Sequence, residues 1–270
     1  MHDLGLIGLG NMGRALTDGF LANGALTPPQ LAVFTRTEEK AQDYAATTGC
    51  TAVASLAELV NSSSALLAAV KPYQMHEALS AALDGVTESK LVISVAAGVT
   101  CDTLSASAGA NHRIVRVMPN TPSLIGAGAS SITAGPNATE DDLAFVEKLF
   151  SSVGICVTVP EDKIHAVIGV SGSAPAYVYT FIEALADGGV VQGLSRADSL
   201  KLAAQTVLGA ARMVQESGDH PAVLRDAVAS PGGTTIAAIH SLEQSGLRAA
   251  VIDAAAAAAN RSREMSRPSN

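Results

Sequence analysis

The sequence predicts an α/β, doubly wound domain over residues 1–160 followed by an all-α domain over residues 161–270. Three observations predict it. Short aliphatic runs alternate with helix-length segments as far as Pro160, no convincing strand follows Glu161, and a glycine-rich turn comes directly after the first run. At 270 residues the chain exceeds the common single-domain size, so two domains are the starting expectation.

Taken in order, Leu4–Gly8, Leu31–Thr35, Leu66–Val70, Leu91–Val95, Ile114–Met118, Ser130–Thr133 and Ile155–Val159 read as strands. Several are almost continuously apolar, which suits strands covered on both faces of a parallel sheet. Met12–Asn23, Glu38–Thr48, Gln74–Leu83 and Glu140–Ser151 lie between them and are long enough for helices, giving the strand–helix alternation of a doubly wound domain. After Pro160 the helical segments are Ala174–Gln192, Ser195–Glu216, Thr234–Gln244 and Leu247–Met265. Gly188–Gly189, Gly193, Gly218, Pro221, Pro231–Gly233 and Gly246 are read as breaks. The last helix contains Ala254–Ala259, a run of the strongest helix former. It suits a close-packed helix at a subunit interface or an ordinary internal helix, and the sequence leaves both open.

Composition narrows the function. The chain is 48% hydrophobic and 16% charged, enough for substantial cores, but only 3% aromatic with no Trp. Those cores must be built from Ala, Val, Leu and Ile, and helices with such small faces are expected to bury part of them against another chain. A formal net charge of −8 and scattered Lys and Arg argue against a nucleic-acid partner. Cys50, Cys101 and Cys156 lie far apart with no metal-ligand spacing, so no metal site is expected, and buried thiols in a reducing cytoplasm are. Met1–Gly8 has no basic n-region and is not read as a signal peptide. The longest apolar stretches are too short to span a bilayer, so no membrane association is expected.

Gly8-Leu9-Gly10-Asn11-Met12-Gly13 follows the first strand and opens the first helix. Glycines there permit a tight turn, approach of backbone to a pyrophosphate and close helix–strand packing, and the helix start offers free N–H groups to phosphate. Glycine-rich turns are common, and the position after the first strand is what gives this one weight. The second strand ends in Thr35-Arg36-Thr37, with no acid before Glu38. An NAD site usually carries an acid there for the ribose 2′-hydroxyl, whereas hydroxyls and an arginine suit a 2′-phosphate. NADPH is favoured, with NADH a weaker possibility; a solvated surface role for Arg36 is the plainer alternative. Val70-Lys71-Pro72 and Val95-Ala96-Ala97-Gly98-Val99 also follow strands, the first bringing a lysine to the cofactor crevice and the second a surface of small residues for a flat nicotinamide. Solvent exposure of Lys71 and ordinary turn chemistry at Ala97-Gly98 explain those residues nearly as well.

Together these motifs identify a resemblance over essentially the full chain. It resembles the pyrroline-5-carboxylate reductases at Gly8–Gly13, Ala69–Pro72, Ser94–Val99, Arg116–Pro122 and Ser171–Tyr177. Asp187–Val190 with Gly193–Arg196, and Val228–Thr235, complete the match. The resemblance implies reduction of the cyclic imine 1-pyrroline-5-carboxylate to L-proline, the last step of proline biosynthesis. It implies a Rossmann-type N-terminal domain and a C-terminal dimerisation domain intertwined with a second copy, with the active site at the dimer interface and rings of dimers common. By the same resemblance, Gly8, Gly10, Met12 and Gly13 bind the pyrophosphate region, and Thr35 and Arg36 the adenosine ribose. Ala69, Lys71 and Pro72 with Ala97 line the cofactor further in. Gly232, Gly233, Thr234 and Thr235 match the loop that holds the substrate carboxylate, and Thr235 the hydroxyl beside the ring nitrogen. Many relatives carry an Asn near the adenosine ribose where this chain has Ser55-Leu56.

Residue chemistry bears on the same loop. Pro231-Gly232-Gly233-Thr234-Thr235 opens a helix, and N–H donors at a helix start fit a carboxylate without a paired cation. Plain N-capping by Thr234 or Thr235 is the competing explanation. His165, His220 and His240 fall in no matching motif and are read as satisfied or surface histidines. A ketone reductase needs an acid to protonate an alkoxide, but a cyclic imine is basic enough to arrive as iminium. Orientation then carries the catalysis, and Thr235 is the expected catalytic residue. A β-hydroxyacid dehydrogenase of the same plan would carry a Lys in a G-x-x-x-K pattern; after Gly169 that position is Ser173. A reductase for a larger ring such as piperideine-2-carboxylate, or a non-catalytic NADPH sensor, remains open.

Overall fold

The computed structural model describes residues 1–266, so the end of the helical domain expected at residue 270 lies outside the described residues. Two compact units form, one from Met1–Gly172 with the chain from Ala258 onward, the other from Ser173–Ala257.

The first unit is built around one sheet. In chain order it holds β1 (His2–Ile7), α1 (Asn11–Ala22), β2 (Leu31–Phe34), α2 (Glu38–Thr48), β3 (Thr51–Ala52), α3 (Leu56–Ser62), β4 (Ser63–Ala68), α4 (Met75–Leu83) and β5 (Leu91–Ser94). Then come α5 (Cys101–Ala108), β6 (Arg113–Met118), β7 (Gly128–Ala134), α6 (Glu140–Ser151) and β8 (Gly154–Thr158). The strand order is β3-β2-β1-β4-β5-β6-β7-β8. Every neighbouring pair is parallel except β6–β7.

Side chains alternate between two cores, one on each face, as a period of two requires. Leu4, Leu6 and Leu67 join Leu16, Phe20 and Phe150 on one side. Ile7, Leu66 and Ala68 join Leu59, Leu79 and Leu104 on the other. Phe20 and Phe150 meet edge to face with centroids 5.4 Å apart. Both faces are dry, which is why these strands read as nearly unbroken apolar runs.

Several elements differ from the expectation. Eight strands form where seven were read, because β3 is two residues long and has no apolar run. The third expected strand, Leu66–Val70, is Ser63–Ala68: its first two residues are serines, and Ala69 and Val70 pass into the following loop. Two further helices, α3 and α5, are set by local caps. Ser55 Oγ accepts the Glu58 N–H at 3.1 Å, Glu58 Oε2 accepts the Ala54 N–H at 2.9 Å, and Thr100 Oγ1 accepts the Thr103 N–H at 3.2 Å. Ser55 thus serves its own helix.

Past β8, α7 (Ile164–Val167) runs into one π-helical turn, Ile168–Gly172. The second unit follows with α8 (Ala174–Val191), α9 (Arg196–Ser217), α10 (Pro221–Ala227) and α11 (Thr234–Gln244), and α12 (Leu247–Met265) closes the described chain. Gly188–Gly189 is no break; α8 runs through it. A Cβ on Gly189 would lie 2.6 Å from Ser199 Oγ, so the glycine lets α8 and α9 approach closely. Pro221 starts α10 instead of breaking the chain, as a proline at the first helical position does. Within Ser173–Ala257 only Ala186, Ser199 and Ala203 are buried. Among the described residues no helix is long and apolar enough to cross a membrane.

Candidate cofactor and substrate sites

Register places the first set of candidate residues along one sheet edge. Ile7 pairs with Phe34 and Ala68, and Ala68 pairs with Ser94. The chain therefore leaves β1, β2, β4 and β5 from one row, at Gly8, Thr35, Ala69 and Val95. Backbone bonds carry that row a step further: Gly8 N–H donates to Phe34 O (2.9 Å), Ala69 N–H to Ile7 O (2.9 Å) and Val95 N–H to Ala68 O (3.3 Å). The strand order reverses between β1 and β4, and a sheet of this kind takes its ligand in the crevice at that point. Gly8–Gly13 and Ala69–Pro72 are the two loops at the reversal.

The three motif glycines do different work. Gly8 has φ +99°, a left-handed conformation, and a Cβ there would lie 2.9 Å from Val70 Cγ1. A Cβ on Gly13 would collide with the Gly8 carbonyl oxygen and press on Ala69. The fold itself accounts for both. Gly10 has nothing within 4 Å of a built Cβ and faces open space. It also precedes α1, whose first turn has no side-chain cap and no acid. Free N–H groups beside a bare backbone suit a pyrophosphate, so the residues present fit a dinucleotide. Asn11 is exposed at the first helical position, whereas Met12 and Val70 pack partly onto the two cores.

Thr35 is half-buried at the end of β2, and Arg36 is exposed beyond it with no ion-pair partner among the described residues. Lys71 and Pro72 are exposed after β4, and Lys71 likewise has no acidic partner there. Ala97 is exposed and Gly98 takes φ +79° in the loop leading to α5. Two unpaired cations and an uncapped helix thus share an edge of an otherwise acidic chain.

In the helical unit, the Val228–Gly233 loop joins α10 to α11. Gly232 has φ +67° and open space around it. Gly233 is the N-cap of α11, its N–H donates to Ser230 O at 3.0 Å, and a Cβ there would collide with Ser230 Oγ. No side chain caps α11 and its first turn holds no acid. Thr234 is exposed and Thr235 half-buried, and neither hydroxyl has a hydrogen-bond partner among the described residues. Capping by these threonines is therefore not their role in this geometry. Two of the histidines are occupied elsewhere, His165 Nδ1 lying 2.9 Å from Ser262 Oγ and His220 Nδ1 accepting the Ala222 N–H at 3.2 Å, and His240 is exposed on α11. No group of three or more potential metal ligands occurs among the described residues.

A doubly wound unit with a bare, uncapped phosphate turn, followed by a helical unit, defines the class of two-domain dinucleotide-linked oxidoreductases. Residues 3–98 match the family described as NADP oxidoreductase, coenzyme F420-dependent, and residues 161–265 match pyrroline-5-carboxylate reductase dimerisation. The pyrroline-5-carboxylate reductase of Escherichia coli (strain K12) is 44% identical over 264 residues, covering 98% of each chain. Among solved structures, a pyrroline-5-carboxylate reductase from Coxiella burnetii superposes with a TM-score of 0.94 at 36% identity, covering 99% of both chains. The Plasmodium falciparum enzyme, solved with NADP bound, gives 0.85 at 33% identity over 98% of each. The chain belongs to the pyrroline-5-carboxylate reductase family.

Proposed function

We propose that this chain reduces 1-pyrroline-5-carboxylate to L-proline with NADPH as its preferred donor, working in the cytoplasm as a homodimer that can assemble further into a ring. Family membership across 98% of the chain supports the reaction. The observation that carries the site assignment is the start of α11, where two glycines and two partnerless threonine hydroxyls leave N–H donors free for a carboxylate.

Gly232, Gly233 and Thr234 hold the substrate carboxylate in this reading. The Thr235 hydroxyl orients the ring nitrogen, which arrives protonated and keeps its proton. When bound, the reduced nicotinamide supplies a hydride to the C=N carbon. Gly8, Gly10, Asn11, Met12 and Gly13 take the pyrophosphate, and Thr35 with Arg36 takes the 2′-phosphate. Ala69, Val70, Lys71, Pro72, Ala97 and Gly98 line the remainder. Residues 1–160 act as the dinucleotide domain and residues 161–270 as the substrate-binding and dimerisation domain. The lack of acids at the end of β2 supports NADPH over NADH, because a carboxylate there would repel the phosphate. The uncovered apolar faces of α8 and α9 support pairing with a second copy.

The test is NADPH absorbance followed with 1-pyrroline-5-carboxylate, repeated with NADH and with piperideine-2-carboxylate, and light scattering on the same sample. NADPH consumption dependent on the five-membered ring, in a particle of two or more chains, is the expected result. Binding of NADPH without imine-dependent oxidation would make the chain a sensor, and a faster six-membered ring would change the substrate.

A further inference from the structure

Arg116 opens the Arg116–Pro122 motif, to which the proposed chemistry gives no task. It lies in β6, in register with Ser94 of β5 and Thr133 of β7, with its side chain only 3% exposed. A cation so enclosed needs a partner, because taking its charge out of water is strongly unfavourable. Its Nη1 donates to Glu161 Oε1 at 2.8 Å, while Nη2 is buried with no partner among the described residues. Glu161 is the one acid paired with it there.

That same carboxylate oxygen does a second thing. Glu161 Oε1 accepts the backbone N–H of Cys101, 60 residues earlier in the chain, at 2.8 Å. Cys101 is the first residue of α5, where an N–H has no partner within its own helix. The loop between β5 and α5 is consequently pinned at both ends. At its entry, Val95 N–H reaches Ala68 O and Ala96 N–H reaches Ser94 Oγ, each at 3.3 Å. At its exit stands Glu161. Between the two lie Ala97 and Gly98. The Cys101 thiol itself is pushed up to about 12, first by burial and then by Glu161, so it stays protonated and takes no part as a nucleophile.

We propose that Glu161, held by Arg116, is a positioning residue that fixes the Ala97–Gly98 loop for the nicotinamide end of the cofactor. This rests on the reading that the loop lines the nicotinamide. Glu161 touches no reacting atom; it acts through the Cys101 amide. An acid at the first residue of the matched dimerisation segment thereby sets the shape of a loop in the dinucleotide domain.

The experiment compares two ligands: NADPH, and 2′-phospho-ADP-ribose, which lacks the nicotinamide. In Glu161→Ala, NADPH is expected to bind about tenfold more weakly, the scale of one charged hydrogen bond, with 2′-phospho-ADP-ribose unchanged. Glu161→Gln keeps an acceptor for the Cys101 N–H and is expected to recover most of the loss. Should an unpaired Arg116 unfold the single variant, Arg116→Met with Glu161→Ala removes both charges and is expected to show the same ligand split. Equal loss for both ligands, no loss for either, or no recovery with Gln would overturn the proposal. If wild type itself binds no NADPH, the parent reading falls and this one with it; if wild type and variants bind alike, only this one falls.

Discussion

Leu16, Phe20 and Phe150 of the sheet unit are wholly shielded from solvent, whereas Leu200, Leu202 and Leu208 on α9 keep 50%, 57% and 52% of their surface. The two regions draw on the same few aliphatic side chains and use them differently. In the first, the inner strands β1, β2, β4 and β5 are sandwiched between helices of their own chain, and of the strands only β8, at the edge, leaves large side chains, Ile155 and Val157, open. In the second, α8 and α9 pack on each other through glycine, serine and alanine, and their larger side chains face outward. Each half-exposed leucine forgoes about 1 kcal/mol of burial that a second copy can restore. The sheet unit buries its centre within one chain and leaves apolar strand surface only at β8, whereas the helical unit leaves apolar surface along the length of α8 and α9.

That contrast can be broken at its centre by a single methyl group. Gly13→Ala is expected to cost the sheet unit several kcal/mol, as backbone collisions and overpacking do, because its Cβ meets the Gly8 carbonyl. Gly10→Ala, in open space, is expected to keep the melting temperature and lose NADPH affinity. A thermal melt with a binding titration on both variants checks the pair, and equal melting temperatures would refute the division of labour among these glycines. In the helical unit the next largest effect falls on turnover. Thr235→Ala is expected to lower kcat about a hundredfold, in the range seen for removal of one oriented hydrogen-bond donor. Its NADPH affinity is expected to match wild type, and steady-state kinetics with a binding isotherm separate the two.

Smaller still, Arg36→Asp is expected to move the NADPH-to-NADH preference about tenfold or more toward NADH, the worth of one charged contact to phosphate. The ratio of kcat/KM values measures it. The weakest effect tests the far edge of the sheet. His112 is buried, accepts the Lys90 N–H at Nδ1 (3.1 Å), and is pushed below the usual histidine range by burial, then by Arg113 and Lys90. Its folded form binds a proton less readily than an unfolded histidine, so stability is full above about pH 6.5 and falls as the pH drops through that value. His112→Asn is expected to flatten the melting temperature between pH 7.5 and 5.5.

The sequence made some of this legible and not the rest, for physical reasons. Dry parallel strands announce themselves as apolar runs, so β1, β2, β5 and β6 were readable to within a few residues. Strand β4 begins in two serines, Ser63 buried and Ser64 exposed, which break the apolar run, and β3 is too short to have a pattern. Ser55-x-x-Glu58 is a capping signal too short-ranged to stand out without an apolar periodicity behind it, and Pro221 fits a helix start as well as a break. At the site, the glycine turn and the Gly232–Thr235 loop are local sequences and could be read locally. Glu161 could not. Its partners, Arg116 and Cys101, lie 45 and 60 residues away, and only the folded sheet brings the three together.

Cys50 belongs to the core on one face of the sheet and Cys101 to the core on the other, and burial raises both thiols above their ordinary range. Neither reacts readily while its layer stays shut, and residues 173–257 contain no cysteine. With the half-buried third thiol removed by Cys156→Ser, a thiol-labelling time course would therefore act as a pair of tamper seals, one per layer, recording which side of the sheet breathes first.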